Sequence, residues 1–227
     1  MPHLTTSAAP VTQLHYQDLG EGPPVVLIHG WPLSHRKWES QVNALTAAGF
    51  RCVAYDRRGF GESGRPAGGY DYDTFASDLH ELFVHLDLKG VTLAGFSMGG
   101  GEVARYIGRY GEARIARAIL LGAVPPFLLK TADNPRGADK EVFEGMIGAI
   151  ASDRIGFLDQ FYPNFYNADS WAPGAHADLI VPLEISAKHS HEMIGGSRLE
   201  VIAGAPHGVA ATHAGVLNEL MLDFLRG

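Results

Sequence analysis

The pentapeptide Gly95-Phe96-Ser97-Met98-Gly99 constrains this chain's fold more than any other stretch of its 227 residues. It follows the apolar run Val91-Thr92-Leu93-Ala94 and precedes the helix-like run Gly101 to Ile107. Strand, Gly-x-Ser-x-Gly, helix is the context a nucleophile elbow requires. The reason is steric. A serine on a sharp strand-to-helix turn needs neighbours without side chains, and Gly95 and Gly99 supply them. The following helix aims its N-terminal amides at the serine and favours negative charge there. With 28 glycines in the chain, a glycine-rich turn that merely holds a serine is the plainer alternative.

The surrounding pattern decides between the two. Pro24 to Ile28, Arg51 to Tyr55, Val91 to Phe96 and Ala116 to Leu121 are short apolar runs of the kind buried on both faces of a sheet. Val11 to Gln17 alternates and reads as a half-exposed strand. Trp38 to Ala48 reads as a helix stopped by Gly49, and Asp73 to Leu86 carries Phe75, Leu79, Leu82, Phe83 and Leu86 on one face. Alternating strands and helices predict an α/β fold, a mostly parallel sheet with helices on both faces. After Gly122 the alternation lapses. Lys140 to Ala151 suits a helix, and Phe157 to Tyr166 is dense in aromatics. It resumes with a helix at Leu183 to Met193, a strand at Leu199 to Ile202 and a final helix at Val216 to Leu225. We expect one domain over 1–227 with a short lid-like insertion at about 125–171.

Composition narrows the function. At 46% hydrophobic and 19% charged residues, the chain has enough apolar surface for a core and is not disordered. A net charge of −7 argues against nucleic acid and acidic membranes as partners. Cys52 is the single cysteine and reads as a buried strand residue, so no intramolecular disulfide is expected. No secretory leader and no membrane-length apolar stretch is visible, so a soluble, cytoplasmic protein is the expectation.

A serine hydroxyl needs a base, and the base needs orienting. Of eleven histidines, His207 stands out. It lies in Gly204-Ala205-Pro206-His207-Gly208, a loop between the last expected strand and the last helix. His80, His85, His189 and His191 fall on helices instead. An oxyanion needs two amide donors. One is the N–H of Met98, and the second candidate is the N–H of Trp31, in His29-Gly30-Trp31-Pro32 after an early strand. Gly59-Phe60-Gly61-Glu62-Ser63-Gly64 formally matches a dinucleotide fingerprint, but no helix follows it and no acidic residue ends a second strand, so we reject that reading. There is no His-Glu-x-x-His, and one cysteine cannot build a thiolate site, so neither metal nor other cofactor is expected.

Four segments together resemble the α/β-hydrolase superfamily: His29-Gly30-Trp31-Pro32, Asp56 to Ser63, Gly95 to Gly100, and Ala205-Pro206-His207-Gly208. More narrowly, the chain is similar to bacterial cofactor-free haloperoxidases and related aryl esterases. The resemblance implies Ser97 as nucleophile, His207 as base, and the Trp31 and Met98 amides as oxyanion hole. Asp178-Leu179-Ile180-Val181-Pro182 resembles the family's acid loop and implies Asp178 as the third triad member. Here the sequence departs from the family. Residues 170–177 have no strand character where a buried strand is usual, and relative to the family some tens of residues, covering most of the usual lid and that strand, are absent. A turn or helix-capping role for Asp178 is the alternative, with Asp169 the next carboxylate. The resemblance implies hydrolysis of small aryl or short acyl esters, with peracid formation as a second activity. A catalytically weak binding protein is the rival from another class. Leu128 and Phe161, with Trp31 and Met98, would shape the acyl pocket, although core packing explains such aromatics equally well. Self-association into a homo-oligomer stays open.

Overall fold

The computed structural model describes residues 2–168 and 178–227. It divides into two compact units, Met1–Ala123 with Ala214–Gly227, and Val124–His213.

The first unit holds the sheet. Its strands are β1 (His3–Thr5), β2 (Gln13–Leu19), β3 (Pro24–Ile28), β4 (Arg51–Tyr55), β5 (Val91–Phe96) and β6 (Ile115–Leu121), in spatial order β1-β2-β4-β3-β5-β6. The strands β3 to β6 run parallel, while β2 runs antiparallel to both its neighbours, β1 and β4. The continuous apolar runs take the central positions, and β5 is buried along its whole length. Helices α1 (Glu39–Ala47), α2 (Tyr72–His85) and α3 (Met98–Tyr110) cover the sheet. In α2 the expected stripe is realised: Phe75, Leu79, Leu82 and Phe83 are buried, and Asp71 caps the first turn by accepting from Thr74 N at 2.9 Å. Leu79, Leu82 and Phe83 join Val26, Ile28, Val53, Leu93 and Val103 in one core. Register then places the chemistry. Ile28 pairs with Gly95, so the loop after β3 and the turn after β5 leave the same edge of the sheet. Ligand sites of open parallel sheets form at the carboxyl ends of the strands.

The second unit is helical: α4 (Lys140–Ser152), α5 (Arg154–Tyr166), α6 (Ala187–Met193) and the short α7 (Val209–Thr212). The aromatic tract is a helix because Phe157, Phe161 and Phe165 recur every four residues. Their rings follow one another at 5.8 and 5.6 Å. The expected helix Leu183 to Met193 is broken: a single 3-10 turn, Leu183–Ile185, precedes α6. Ser186 interrupts it at φ −130°, its hydroxyl donating to Pro182 O at 2.8 Å. The expected strand Leu199 to Ile202 is not a strand. A strand is stable only in a ladder, and no described residue pairs with this segment. Residues 169–177, which include Asp169 and the end of the expected insertion, lie outside the described residues. The chain closes with α8 (Ala214–Arg226), back in the first unit, where Asn218 Oδ1 accepts from Gln41 Nε2 of α1 at 3.0 Å.

Candidate active site

Ser97 stands between β5 and α3 at φ 54°, ψ −122°, a left-handed conformation that non-glycine residues rarely adopt. The fold over-determines it. A Cβ on Gly95 would lie 2.5 Å from Gly99 O, and one on Gly99 would lie 2.5 Å from Ile28 O. Only hydrogen atoms fit at either position. Ser97 N donates to Leu121 O at 3.0 Å, and Ser97 O accepts from Gly100 N at 2.9 Å. The serine is buried, 6% exposed. Met98 opens α3, so its N–H is among those that find no partner within the helix.

The loop after β3 presses on this turn. A Cβ on Gly30 would sit 2.8 Å from Ser97 Cβ and 2.9 Å from the Phe96 ring, so glycine is required for the approach. Trp31, the next residue, is thereby placed beside the elbow. The two expected oxyanion donors thus belong to adjoining backbone segments of the first unit.

The second unit brings His207 and Asp178 together. His207 Nδ1 and Asp178 Oδ2 are 2.6 Å apart. A carboxylate accepts only, so Nδ1 carries the proton and Nε2 is the basic nitrogen. The other carboxylate oxygen, Oδ1, accepts from Ile180 N at 2.9 Å and Val181 N at 2.8 Å. Asp178 is therefore a turn aspartate and the partner of His207 at once. His207 is 1% exposed. Phe165 meets its ring edge-on at 4.9 Å, and Gly208 N donates to Phe165 O at 2.8 Å. The end of α5 thus fixes the loop that carries the imidazole.

Comparison with known proteins places these features. The alpha/beta hydrolase fold matches residues 23–183. The chain belongs to this family. A putative non-heme chloroperoxidase of Synechocystis sp. is 42% identical, with the whole of both chains covered. A bifunctional esterase/perhydrolase of Acinetobacter calcoaceticus is 32% identical, again over the whole of both. The crystal structure of a bromoperoxidase from Bacillus anthracis superposes with a TM-score of 0.92 at 41% identity, covering all of each chain. The chloroperoxidase alignment spans 276 positions against 227 residues in this hydrolase-fold chain, 49 more than the chain can fill.

A charged network behind the loop after β3 was not foreseen. His29 is fully buried. Its Nδ1 donates to Gly30 O at 2.9 Å, and its Nε2 accepts from Arg57 N at 3.2 Å. Burial, with the Arg57 charge beside it, pushes its pKa down to about 3, so the ring is neutral and its tautomer set. Arg57 Nη2 also donates to His29 O. Arg57 Nε lies 3.0 Å from Glu102 Oε2 on α3, in an ion-pair geometry without a hydrogen bond. Tyr55 donates its hydroxyl to Glu102 Oε1. Burial raises the Glu102 carboxyl to about 7 despite the arginine. Helix α3 and the loop after β3 are so tied through one buried guanidinium. The run Asp56-Arg57-Arg58 directly after a buried strand was the sequence signal for it.

The remaining expected residues are ordinary by comparison. Phe161 is buried among the aromatics of α5. Leu128 is half-buried, and its carbonyl accepts from Ala138 N at 2.8 Å. The glycine-rich run Gly59–Gly64 closes on Asp56. Glu62 N donates to Asp56 Oδ2 at 2.8 Å and Ser63 Oγ to Asp56 O at 2.5 Å, while a Cβ on Gly61 would overlap the Asp56 carboxylate. That loop is built around a carboxylate of its own chain. Cys52 is buried in β4, and no described helix is long and apolar enough to cross a membrane.

Proposed function

We propose that this chain is a serine hydrolase that cleaves small carboxylic esters, aryl or short acyl, through an acyl-enzyme. The observation that carries the reading is Ser97 at positive φ between two glycines that no Cβ could replace. Such strain persists where the surroundings enforce it, and it lifts the hydroxyl clear of strand and helix. His207, oriented by Asp178 through Nδ1, takes the Ser97 proton at Nε2 as Oγ attacks the ester carbonyl. The oxyanion is held by the N–H groups of Met98 and Trp31. Collapse expels the alcohol, protonated by His207, and leaves the acyl group on Ser97. Water, activated by the same imidazole, releases the acid. Leu128 and Phe161 are proposed as walls of the acyl site, and residues 125–171 as a lid-like insertion of a single domain.

A second reading is favoured by relatives named chloroperoxidase, bromoperoxidase and esterase/perhydrolase. Hydrogen peroxide in place of water would attack the same acyl-enzyme, with Ser97 as leaving group and a peracid as product. Steady-state hydrolysis of p-nitrophenyl acetate, with and without peroxide, tests both. Sustained turnover that Ser97→Ala lowers by several orders of magnitude is expected. Binding without turnover would instead indicate a hydrolase-fold binding protein.

A further inference from the structure

Three histidines from separate parts of the chain stand in a column on one side of the sheet, away from Ser97 in sequence and unused by the chemistry above. His3 on β1 and His15 on β2 are directly paired across the antiparallel ladder, which puts their side chains on the same face. Their ring centroids are 5.2 Å apart, and the ring of His35 follows at 4.8 Å from that of His15. The column runs inward from an exposed His3 to His15 and His35, which are 0% and 2% exposed.

Ordinary packing does not account for the inner pair. Neither ring nitrogen of His15 has a hydrogen-bond partner among the described residues, and neither does Nε2 of His35. Buried nitrogens without partners are costly, and native proteins rarely keep three in one place. His35 is moreover held in the way a metal-binding imidazole is held. Its Nδ1 lies 2.9 Å from Asp56 Oδ2, and its backbone N donates to Asp56 Oδ1 at 2.6 Å. A carboxylate on one ring nitrogen fixes the tautomer and raises the basicity of the other, which is the usual support for a ligating histidine. His15, His35 and Asp56 each place a ligand-type atom within 4.8 Å of the other two. An oxygen ligand is also at hand: Glu62 Oε2 is 4.0 Å from His15 Nδ1, while its Oε1 holds Arg36 at 3.3 Å.

We infer that His3, His15 and His35, with Glu62 at the rim and Asp56 behind His35, form a binding site for a divalent first-row transition ion of the Zn2+ type. Imidazole with a single carboxylate is the donor set these ions prefer. The exposed His3 and the half-exposed Glu62 side chain provide the way in. No sequence motif announces the site, because positions 3, 15, 35 and 62 meet only through the sheet.

Isothermal titration of the full chain with Zn2+ at neutral pH tests this. Wild type should bind one ion with Kd of roughly 10 μM or tighter. At about 100 times Kd of free Zn2+ its melting temperature should rise by about 5–10 °C. The variants His15→Gln and His35→Gln should bind at least about tenfold more weakly. Should either fail to fold, His3→Gln changes only an exposed residue and should show the same direction of loss. His191→Gln, exposed on α6, and His207→Gln should leave Zn2+ affinity as in wild type. Absence of saturable 1:1 binding in wild type, or wild-type affinity in both His3→Gln and His35→Gln, would overturn the assignment.

Discussion

Lowering the pH should destabilise this protein through His29, by an amount the structure fixes. The buried ring has its pKa pushed from 6.5 down to about 3. Below 6.5 the unfolded chain takes up a proton that the folded one refuses. The stabilisation is therefore complete above 6.5 and is lost as pH falls toward 3. One pH unit well inside that window is worth about 1.36 kcal/mol. Between pH 7.5 and 5.0 this one residue should cost about 2 kcal/mol, allowing for partial titration near 6.5. Gln at position 29 keeps a donor for Gly30 O and an acceptor for Arg57 N without a titrating ring. Urea unfolding of wild type and His29→Gln at both pH values isolates the effect from the other histidines. Wild type should lose about 2 kcal/mol more than the variant over this interval. Equal losses would show that His29 is not held neutral, and the fixed tautomer argued from it would fall with it.

Glu102 should act in the opposite sense. Its folded pKa is raised from 4.5 to about 7, so its contribution is complete below 4.5 and is lost as pH rises to 7. Relative to wild type, Glu102→Gln should gain about 2 kcal/mol on going from pH 5.0 to 7.5 in the same urea assay. Gly99→Ala forces a methyl to within 2.5 Å of Ile28 O and 3.0 Å of His29 O. Turnover of p-nitrophenyl acetate should fall about 100-fold, with about 1–3 kcal/mol of stability lost. Cys52, whose thiol burial pushes up to about 12, should resist a disulfide reagent in the native protein and react fully in guanidinium.

Local patterns were legible in the sequence, and distant pairings were not. The buried strands declared themselves as short apolar runs, and the elbow needed only five consecutive residues. His207 could be singled out by its loop. Asp178 came from resemblance alone, since its contact with His207 spans 29 residues and leaves no periodic trace. The network of His29, Arg57 and Glu102 joins three elements, and only the run Asp56-Arg57-Arg58 after a buried strand points to it in the sequence. The segment Phe157 to Tyr166 went unassigned, although four-residue spacing of phenylalanines builds α5 even with Pro163 inside it. Leu199 to Ile202 has strand-like composition, yet Val201 is 60% exposed and the segment finds no ladder. Strand propensity is realised by neighbours and not by the residues themselves.

Covalent labelling tests the central claim most directly. A fluorophosphonate probe should add a single adduct to the intact protein, mapping to the peptide that contains Ser97. Ser97→Ala should take up none, and His207→Ala should react slower by orders of magnitude, because base and nucleophile act as a unit. Adduct formation at equal rate in wild type and Ser97→Ala would contradict the account.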